Sequence, residues 1–214
     1  MVPIPTPIYH ITCVDNLASI LTAGGLYAKN QHQHAGISYT NIAHQSIQDR
    51  RFQTQVTCEP RGNLHDYVPF YFAPRSPMLY TIHQGNVEGY AQGQKSVIHL
   101  VSTAQVVQAA SHKFVFTDRH SIVRLANFLD NLKHLNKIDW KVMNSQYWFN
   151  NPEHNDRKER RQAEFLVYQS LPWNLVTQIG VINDEMKRQV EKILQDSTHR
   201  PTVVIRQDWY YTKG

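Results

Sequence analysis

The chain has 214 residues, enough for one domain with a substantial buried core. Its formal net charge of +5 and its twelve histidines favour an anionic partner such as nucleic acid. Two cysteines, Cys13 and Cys58, argue against a disulfide framework and indicate a reducing, cytoplasmic location. The proline-rich start does not resemble a signal peptide, and no run approaches the roughly 20 apolar residues of a membrane span.

The predicted elements interleave strands and helices without a regular β-α-β rhythm. In chain order, they are a strand at 8–11, a helix at 14–22, a short strand at 26–28, a helix around 42–53, a strand at 67–72, a short helix from 76–79, strands at 97–102 and 114–116, a helix at 121–132, a strand at 163–168, a helix at 182–195 and a strand at 203–205. This order favours an α+β fold over a doubly wound parallel sheet.

A few residues predict where these elements begin and end. Thr12 or Asp15 is expected to cap the first long helix, and Gly24 with the glycine after it is expected to end that helix. Pro69 predicts that its strand lies at an edge of the sheet or starts irregularly. Thr117 and the aspartate after it are expected to cap the helix at 121–132.

Familiar nucleotide-binding and catalytic signatures are absent from the sequence, including GxxxxGK[ST], GxGxxG, GxSxG and HExxH. His32, His34 and His44 fall in the polar stretch 30–65, but no cysteine or carboxylate cluster completes a tetrahedral metal site. We therefore expect no bound metal. The stretch is too long for a plain connection, so we expect a functional loop there.

Glu164 is the most informative residue, because it opens an apolar strand directly behind a basic cluster that ends in Arg160 and Arg161. Glutamate is rarely buried unless its charge is needed. Strand alternation groups it with Leu166, so it either lines a cleft or sits at a solvated edge. A carboxylate kept ionised by arginines could stabilise a cationic, sugar-like transition state. With the basic cluster beside it, this favours an enzyme acting on nucleic acid.

Four other residues are candidates with an ordinary structural alternative. His10 and Thr12 stand at the end of the first strand before a helix start, which suits a ligand phosphate as well as structural hydrogen bonding. Arg51 belongs to an arginine pair that could equally be solvated. Tyr71 alternates with two phenylalanines, and core packing is its default role. The residues alone leave these alternatives open.

Several motifs along the chain resemble the DarT family of bacterial toxins that ADP-ribosylate DNA. The motifs are YHIT at 9–12 with DNL at 15–17, DRR at 49–51, LHDYVPFYFAPRSPMLY at 64–80, FTD at 116–118 with a histidine at 120, RQAEFLV at 161–167 and DWYY at 208–211. The resemblance runs from about residue 8 to 211, and the motifs at 64–80 and 161–167 are specific.

The resemblance implies a single ADP-ribosyltransferase domain over 1–214, an α+β fold with a split mixed sheet and helices around an NAD+ cleft. It implies transfer of ADP-ribose from NAD+ to a base of single-stranded DNA, with NAD+ as co-substrate and nicotinamide released. Thymine is the expected base. It also implies a macrodomain antitoxin of the DarG type as partner. The alternatives are guanine, RNA, protein or water as acceptor, or a non-enzymatic nucleic-acid-binding module.

The resemblance also assigns roles residue by residue. Glu164 and Arg51 match the catalytic glutamate and arginine. The positions expected to bind NAD+ are His10, Thr12, Asn16, Gly24, Arg51, Tyr71 and Met78. His10 and Thr12 are expected to hold the adenosine ribose, and Tyr71 to stack on nicotinamide. Arg119 departs from the family pattern, because it stands where we expect glycine.

A segment at about 139–161 is expected to recognise the DNA substrate. Within it, Trp140, Tyr147 and Trp148 are candidates for stacking on bases, and Arg157, Lys158, Arg160 and Arg161 for contacting phosphates. Arg75 and His120 are expected to complete the DNA site. Such a surface predicts binding that weakens steeply with salt. The alternative for the basic run is a solvated helix.

Overall fold

A computed structural model describes residues 1–32, 40, 42 and 45–212 of the chain. The described residues form ten strands: β1 Pro7–Cys13, β2 Gly25–Tyr27, β3 Tyr67–Tyr71, β4 Val97–Thr103, β5 Phe114–His120, β6 Phe128–Leu129, β7 Ala163–Tyr168, β8 Ser170–Pro172, β9 Gln178–Val181 and β10 Thr202–Ile205. They also form seven α-helices: α1 Leu17–Ala23, α2 Gln45–Gln53, α3 Pro77–His83, α4 Ala104–Ala109, α5 Trp140–Met143, α6 Arg157–Arg160 and α7 Asp184–Ile193. Short 3-10 helices lie at Val14–Asn16, Lys29–Gln31, Leu64–Asp66, Gln94–Ser96, Leu132–Lys137, Trp173–Leu175 and Gln207–Trp209.

Eight of the strands form one mixed sheet in the order β10-β9-β4-β1-β3-β7-β5-β6. Only the β9–β10 pair in this sheet is parallel, and β2 pairs with β8 in a separate small sheet. Strands β1 and β3 share a single paired position, Tyr9 opposite Tyr71, so the large sheet splits between them. The expected α+β fold with a split mixed sheet is confirmed.

Strand β7 is buried on both faces, and its alternation follows the sequence prediction. Ala163, Phe165 and Val167 pack into the main core between the sheet and its helices. Leu166 faces the other way into a smaller cluster. Glu164 lies on this second face, at the end of the strand that adjoins the split in the sheet.

Pro69 lies in an interior strand, so the prediction of an edge strand is wrong. The carbonyl oxygen of Pro69 accepts a hydrogen bond from Nδ1 of His10, at 2.8 Å. The N and C=O of a strand residue face the same side, so the proline nitrogen faces the gap between β1 and β3. No ladder hydrogen bond is needed there, and the missing N–H of proline costs nothing.

The start of α1 differs from the prediction, whereas its end agrees with it. A 3-10 turn precedes α1, and neither Thr12 nor Asp15 caps the helix, because Cys13 and Asn16 occupy the cap positions and neither side chain makes a capping hydrogen bond there. Thr12 still belongs to β1. Gly24 ends α1 in the left-handed conformation, at φ 78°, which suits a residue without Cβ.

The predicted helix at 121–132 is wrong. Strand β5 continues to His120, so Thr117 lies inside the strand rather than at a helix cap. The chain then turns back, and the two-residue strand β6 pairs with β5. Asp118 closes this hairpin by accepting hydrogen bonds from the backbone and side chain of Asn127, at 3.0 and 2.8 Å. Leu125, one of the supposed core positions, is 67% exposed.

Strands β8 and β9 and helix α4 were not predicted, because elements of three to six residues carry little periodicity. The remaining predicted strands and helices are confirmed with shifts of a few residues at their ends. No helix of the described segments is long and apolar enough to cross a bilayer.

Candidate active site

One cavity collects most of the predicted site residues at the split between β1 and β3. Its walls come from β1, α1, β2, α2, β3, α3 and β7 and from the last residue of β5. The predicted residues that line it are His10, Thr12, Asn16, Arg51, Tyr71, Met78, His120 and Glu164. Residues up to 154 positions apart in sequence, from His10 to Glu164, therefore meet in one place.

Glu164 forms the floor of this cavity and is only 2% exposed. Its Oε2 accepts a hydrogen bond from Nη1 of Arg51 at 2.7 Å, within an ion pair. Its Oε1 accepts a hydrogen bond from the hydroxyl of Ser121 at 2.6 Å. The cleft interpretation of Glu164 is confirmed, and the solvated-edge interpretation is wrong.

The surroundings of Glu164 keep its carboxyl group ionised. Burial alone would raise the pKa of Glu164, but the charge of Arg51, the charge of His120 and the hydrogen bonds from Ser121 and Arg51 lower it below its ordinary value. Burial also lowers the pKa of His120 itself, so this histidine is neutral at neutral pH. The Arg51 guanidinium is therefore the main source of the lowered pKa of Glu164.

A bulge in β5 brings Ser121 to the carboxylate. Phe116 pairs with Phe165 and His120 pairs with Ala163, so three residues of β5 oppose Glu164 alone. The hydroxyl of Thr117 replaces the missing ladder partner and accepts the backbone N–H of Glu164, at 3.1 Å. Ser121 follows the bulge directly and is 1% exposed.

Arg119 fits into this bulge without the glycine that the family pattern led us to expect. The non-glycine residues with positive φ in the described chain are Arg61, Ser111 and Gln169, so Arg119 has an ordinary backbone conformation. Its guanidinium lies within 4.0 Å of three carboxylates, those of Asp118, Asp156 and Glu159. The side chain is thereby paired within the protein.

Arg51 reaches the cavity from the last turn of α2 and is 7% exposed. Besides Glu164, its Nη1 lies 3.5 Å from the hydroxyl of Ser121. Its Nη2 is buried and has no hydrogen-bond partner among the described residues. An unsatisfied buried guanidinium N–H is costly, so this atom suits an anionic or carbonyl oxygen of a ligand.

His10 presents one defined ring nitrogen to the cavity. Burial lowers the pKa of His10 and outweighs the effect of its hydrogen bond to Pro69, so the ring is neutral. Because Nδ1 lies 2.8 Å from a carbonyl oxygen, Nδ1 carries the proton and donates it. Nε2 is then an acceptor, which suits a sugar hydroxyl.

Thr12, Asn16, Tyr71 and Met78 shape the rest of the cavity. The amide of Asn16 donates to the hydroxyl of Thr12 at 2.9 Å and so orients it. Tyr71 lies directly across the β3–β7 ladder from Glu164. Its hydroxyl donates to Sδ of Met78 at 3.6 Å. Burial, followed by the charge of Glu164, raises the pKa of Tyr71, so its hydroxyl stays protonated and the side chain stays uncharged.

Gly24 and Arg75 do not line this cavity. Gly24 lies at the end of α1 and lines a different depression, whereas the glycine after it, Gly25, lines the cavity. Arg75 lies outside the described cavity lining, with its guanidinium carbon 4.5 Å above the ring of Tyr211.

The aromatic residues of segment 139–161 divide into buried and exposed ones. Trp140 and Trp148 are 7% and 2% exposed, so neither has a face for a nucleobase and both predictions are corrected. Tyr147 is 72% exposed, as a stacking residue requires. Phe149, which sequence reasoning missed, is 50% exposed and stacks on Trp148 with ring centroids 4.8 Å apart.

The arginines near Glu164 hold the protein together rather than face solvent. Arg161 is 4% exposed and donates to the backbone carbonyl oxygens of Val142, Met143, Ser145 and Arg75. Arg160 pairs with the carboxylates of Asp139 and Asp156. Neither one forms a hydrogen bond or ion pair with Glu164. The buried guanidinium of Arg161 is occupied by carbonyl oxygens, whereas the side chain of Arg160 stays 22% exposed.

Arg157 and Lys158 differ in how much of their charge faces solvent. The guanidinium of Arg157 donates to the carbonyl oxygen of Tyr147 at 2.8 Å and so supports the exposed ring. Lys158 is exposed.

Among the described residues, no group of three His, Cys, Asp or Glu side chains could hold a metal ion. His34 and His44 lie outside the described residues.

Comparison with known proteins places this geometry among enzymes that modify DNA. The family model described as "DarT: ssDNA thymidine ADP-ribosyltransferase, DarT" matches residues 9–211. A "DNA ADP-ribosyl transferase" of Thermus sp. (strain 2.9) is 48% identical over 98% of both chains. The solved structure of Thermus sp. 2.9 DarT in complex with ADP-ribosylated ssDNA is 47% identical, covers 98% of both chains and superposes with a TM-score of 0.92. The same enzyme in complex with NAD+ superposes with a TM-score of 0.87, at 45% identity over 99% of this chain and 100% of the other.

Proposed function

The chain belongs to the DarT family and ADP-ribosylates single-stranded DNA with NAD+ as co-substrate, and from this premise we propose how its residues divide the reaction. The family and the ADP-ribosyltransferase fold implied by the sequence motifs are thereby confirmed. Thymidine is the proposed acceptor, in line with the family description. The observation that carries the assignment of roles is the buried, ionised carboxylate of Glu164 held between Arg51 and Ser121.

Glu164 stabilises the sugar during bond cleavage. The bond between nicotinamide and the ribose anomeric carbon breaks, and nicotinamide leaves with the bonding electrons. The ribose develops oxocarbenium character, and a fixed negative charge in a dry site stabilises it strongly. Arg51 and Ser121 each hold one carboxylate oxygen, so the charge is oriented before the substrate arrives.

The remaining cavity residues hold NAD+. Nε2 of His10 accepts a hydrogen bond from a hydroxyl of the adenosine ribose, and the hydroxyl of Thr12, oriented by Asn16, binds the same sugar. The neutral ring of Tyr71, with Met78 beside it, packs against nicotinamide. These groups are uncharged, and they leave the electrostatics of the cleft to Glu164 and Arg51.

The acceptor base must lose a proton as it attacks. N3 of thymine forms the new bond to the anomeric carbon, and its proton has to leave because the neutral imide is a weak nucleophile. Arginine is a poor general base, so Arg51 orients the thymine carbonyl or a phosphate through Nη2. The carboxylate of Glu164 is the group that receives the proton. The neutral ring of His120 lies in the same cavity and helps to position the base.

The exposed rings of segment 139–161 bind the flanking DNA. Tyr147 and Phe149 stack on bases, and Lys158 contributes positive charge near the backbone. Charge-dependent binding of this kind weakens as salt rises. DNA binding that is insensitive to salt would contradict this part of the proposal.

The cellular setting follows from the substrates. The enzyme acts as a toxin in the cytoplasm, where single-stranded DNA and NAD+ are both accessible, and a macrodomain antitoxin of the DarG type counteracts it. The whole chain serves as one transferase domain, with segment 139–161 as its substrate-recognition part. A DarTG structure from Thermosipho africanus, at 20% identity, shares the fold.

The proposal is tested by offering several acceptors to the enzyme with NAD+. Oligonucleotides with a single thymine, the same sequences with guanine, RNA and protein are incubated separately, and the products are identified by mass spectrometry. We expect one ADP-ribose on thymine in single-stranded DNA, at least one nicotinamide released per transfer, and loss of both in Glu164→Gln. Modification of guanine, RNA or protein in place of thymine, or hydrolysis of NAD+ with no modified thymine by the unaltered enzyme, would replace the proposed acceptor. Near-normal transfer by Glu164→Gln would overturn the role of Glu164.

A further inference from the structure

A second cavity adjoins the catalytic one on the far side of α2. Its lining residues are Lys29, Asn30, His32, Asp49, Phe52, Gln53 and His65. Three of them, Lys29, His32 and His65, line the catalytic cavity as well. The two cavities are therefore neighbours with a common wall.

Phe52 is the most prominent feature of this second cavity. It follows Arg51 on α2, yet the two side chains face opposite ways, since Arg51 is 7% exposed and Phe52 is 58% exposed. The ring of Phe52 lies near the ring of His65, with centroids 5.8 Å apart and an interplanar angle of 47°. An apolar ring thus stands in solvent directly beside the catalytic arginine.

The groups around Phe52 fit the chemistry of a nucleotide. Burial, followed by the charges of Lys29 and Arg51, lowers the pKa of His65 to about 4, so the ring paired with Phe52 is neutral. Lys29 has no ion-pair partner within the described segments. Asp49 brings one negative charge to the cavity, and its Oδ1 accepts a hydrogen bond from Gln45 at 2.8 Å. Gln53 adds an amide group of the kind that reads base edges, whereas the amide of Asn30 donates to the carboxylate of Asp66 at 2.8 Å.

Single exposed apolar residues are common on proteins and need no explanation by themselves. Here an exposed ring, a lysine and amide groups share one cavity with a wall of the catalytic site. Single-stranded DNA is bound by this combination, in which bases stack on aromatic rings and lysines meet the backbone. A strand whose thymine enters the catalytic cavity must also place its neighbouring nucleotides at the rim.

We propose that the cavity at Phe52 binds the base of a nucleotide that adjoins the target thymidine in the acceptor strand. This proposal rests on the proposed function of the catalytic cavity. The base stacks on Phe52, and Lys29 contacts the phosphate that links it to the target nucleotide. The enzyme then grips the strand on two sides, at Phe52 and at the rings of Tyr147 and Phe149.

The test combines variants of Phe52 with oligonucleotides that lack one base. Phe52→Ala, Phe52→Tyr and a control in another exposed apolar residue, Leu125→Ala, are compared with the unaltered enzyme. Each is assayed on an oligonucleotide with one thymine and on versions with an abasic site just before or just after it. The KM for DNA and the dissociation constant are measured, together with the KM for NAD+ in nicotinamide release without DNA.

Stacking of one base predicts about tenfold weaker binding of the intact oligonucleotide by Phe52→Ala. Phe52→Tyr should restore binding, and Leu125→Ala should match the unaltered enzyme. With one of the two abasic oligonucleotides, the difference between Phe52→Ala and the unaltered enzyme should disappear. An equal loss on all three oligonucleotides, or no loss on any, would overturn the proposal.

Two further results separate this proposal from the function on which it rests. A raised KM for NAD+ in Phe52→Ala would assign the cavity to the co-substrate and overturn the nucleobase site alone. If the unaltered enzyme modified no thymine oligonucleotide, the proposed acceptor itself would fail, whatever Phe52 does. Melting temperatures of all variants confirm that each one is folded.

Discussion

The floor of the catalytic cavity and the segment that faces DNA are built in opposite ways. At the floor, the carboxylate of Glu164 is 2% exposed and is held by Arg51 and Ser121 at 2.7 and 2.6 Å. In segment 139–161, Tyr147 and Phe149 are 72% and 50% exposed. In the proposed mechanism, a charge is held in place where bonds break, whereas exposed rings are available where a flexible strand binds.

The two regions are nevertheless joined by one side chain. Arg161 lies three residues before Glu164, and its guanidinium binds the carbonyl oxygens of Val142, Met143 and Ser145 behind the exposed rings. It also binds the carbonyl oxygen of Arg75. The DNA-facing segment is therefore fastened from behind to the start of the catalytic strand. The opposite construction of the two regions predicts that the chemistry and DNA binding can be damaged separately.

Glu164→Gln is expected to have the largest effect. Loss of the negative charge should lower DNA modification by about a thousandfold or more, since a fixed charge in a dry site supplies several kcal/mol to the transition state. Modification of an oligonucleotide with saturating NAD+ measures the loss. Glu88→Gln, which alters an exposed carboxylate, should keep full activity. A loss below about tenfold in the folded protein would mean that Glu164 is not the stabilising charge.

Arg161→Gln should have the second largest effect, because it removes the hydrogen bonds that hold segment 139–161 to the start of β7. Several buried carbonyl oxygens lose their donor, which we expect to lower the free energy of unfolding by about 3 kcal/mol. DNA modification should fall by about a hundredfold, since misplacement of a positioning group by ~1 Å can cost that much. Nicotinamide release without DNA should suffer less.

A matched control for Arg161 is available elsewhere in the chain. Arg200 also donates to backbone carbonyl oxygens, of Ser197 and Gln195, but it is exposed. Arg200→Gln should leave thermal unfolding and both activities near normal. Arg161→Lys should fail to rescue, because one ammonium group cannot reach the four carbonyl oxygens. Normal stability and activity in Arg161→Lys would show that only the positive charge of Arg161 is needed.

Tyr147→Ala and Phe149→Ala should weaken DNA binding by about tenfold each, as expected for one stacked base. The dissociation constant for single-stranded DNA measures this effect, and the KM for NAD+ serves as its internal control. Trp148→Ala should instead unfold the protein at lower temperature, because the buried ring fills the core behind Phe149. A Trp148→Ala variant that melted normally but bound DNA poorly would restore the tryptophan as a stacking residue.

Ser121→Ala should have the smallest effect, on the pH profile. Its hydroxyl bond to the carboxylate lowers the pKa of Glu164, so the acid limb of kcat/KM should move to higher pH when the bond is lost. Because the pKa of Glu164 in the folded protein is lowered, the activity of the ionised form is present above that pKa and is lost as pH falls through it. At neutral pH, we expect about a fivefold loss, the worth of one hydrogen bond of ~1 kcal/mol. Ser121→Thr keeps the hydroxyl and should retain the original profile.

Strand β7 is the part of the molecule that the sequence predicted in most detail. The sequence itself shows a charged residue at the start of an apolar strand. Strand alternation correctly placed Glu164 on the opposite face from Ala163 and Phe165. The motifs resembling a known family then identified His10, Arg51 and Tyr71, which periodicity alone left open. All three line the cavity with Glu164.

The bulge in β5 accounts for what was missed at the catalytic floor. Its extra residues break the period of two, so the strand was predicted to stop at Phe116 and a helix to follow. With the strand cut short, nothing in the sequence linked Ser121 to Glu164. Pairing of β5 with β7 and the hairpin hydrogen bonds of Asp118 outweighed the local helix propensity of residues 121–132.

Segment 139–161 shows why burial was the hardest property to predict. Tyr147, Trp148 and Phe149 are consecutive aromatics in a polar context, and without regular periodicity their orientations are not encoded locally. Trp148 packs inward because Tyr211, 63 positions later in the chain, accepts its indole N–H at 3.2 Å. The burial of Arg161 was equally hard to predict, because its partners are backbone carbonyl oxygens and no sequence pattern identifies them.

The separation of chemistry from DNA binding is tested most directly by counting two products in one reaction. Nicotinamide and modified oligonucleotide are quantified together for the unaltered enzyme, for Glu164→Gln and for the double variant Tyr147→Ala/Phe149→Ala. We expect Glu164→Gln to lose both products, whereas the double variant should lose modified DNA but still release nicotinamide by hydrolysis of NAD+, with water as the acceptor. Equal loss of both products in the double variant, or nicotinamide release that survives Glu164→Gln, would contradict it.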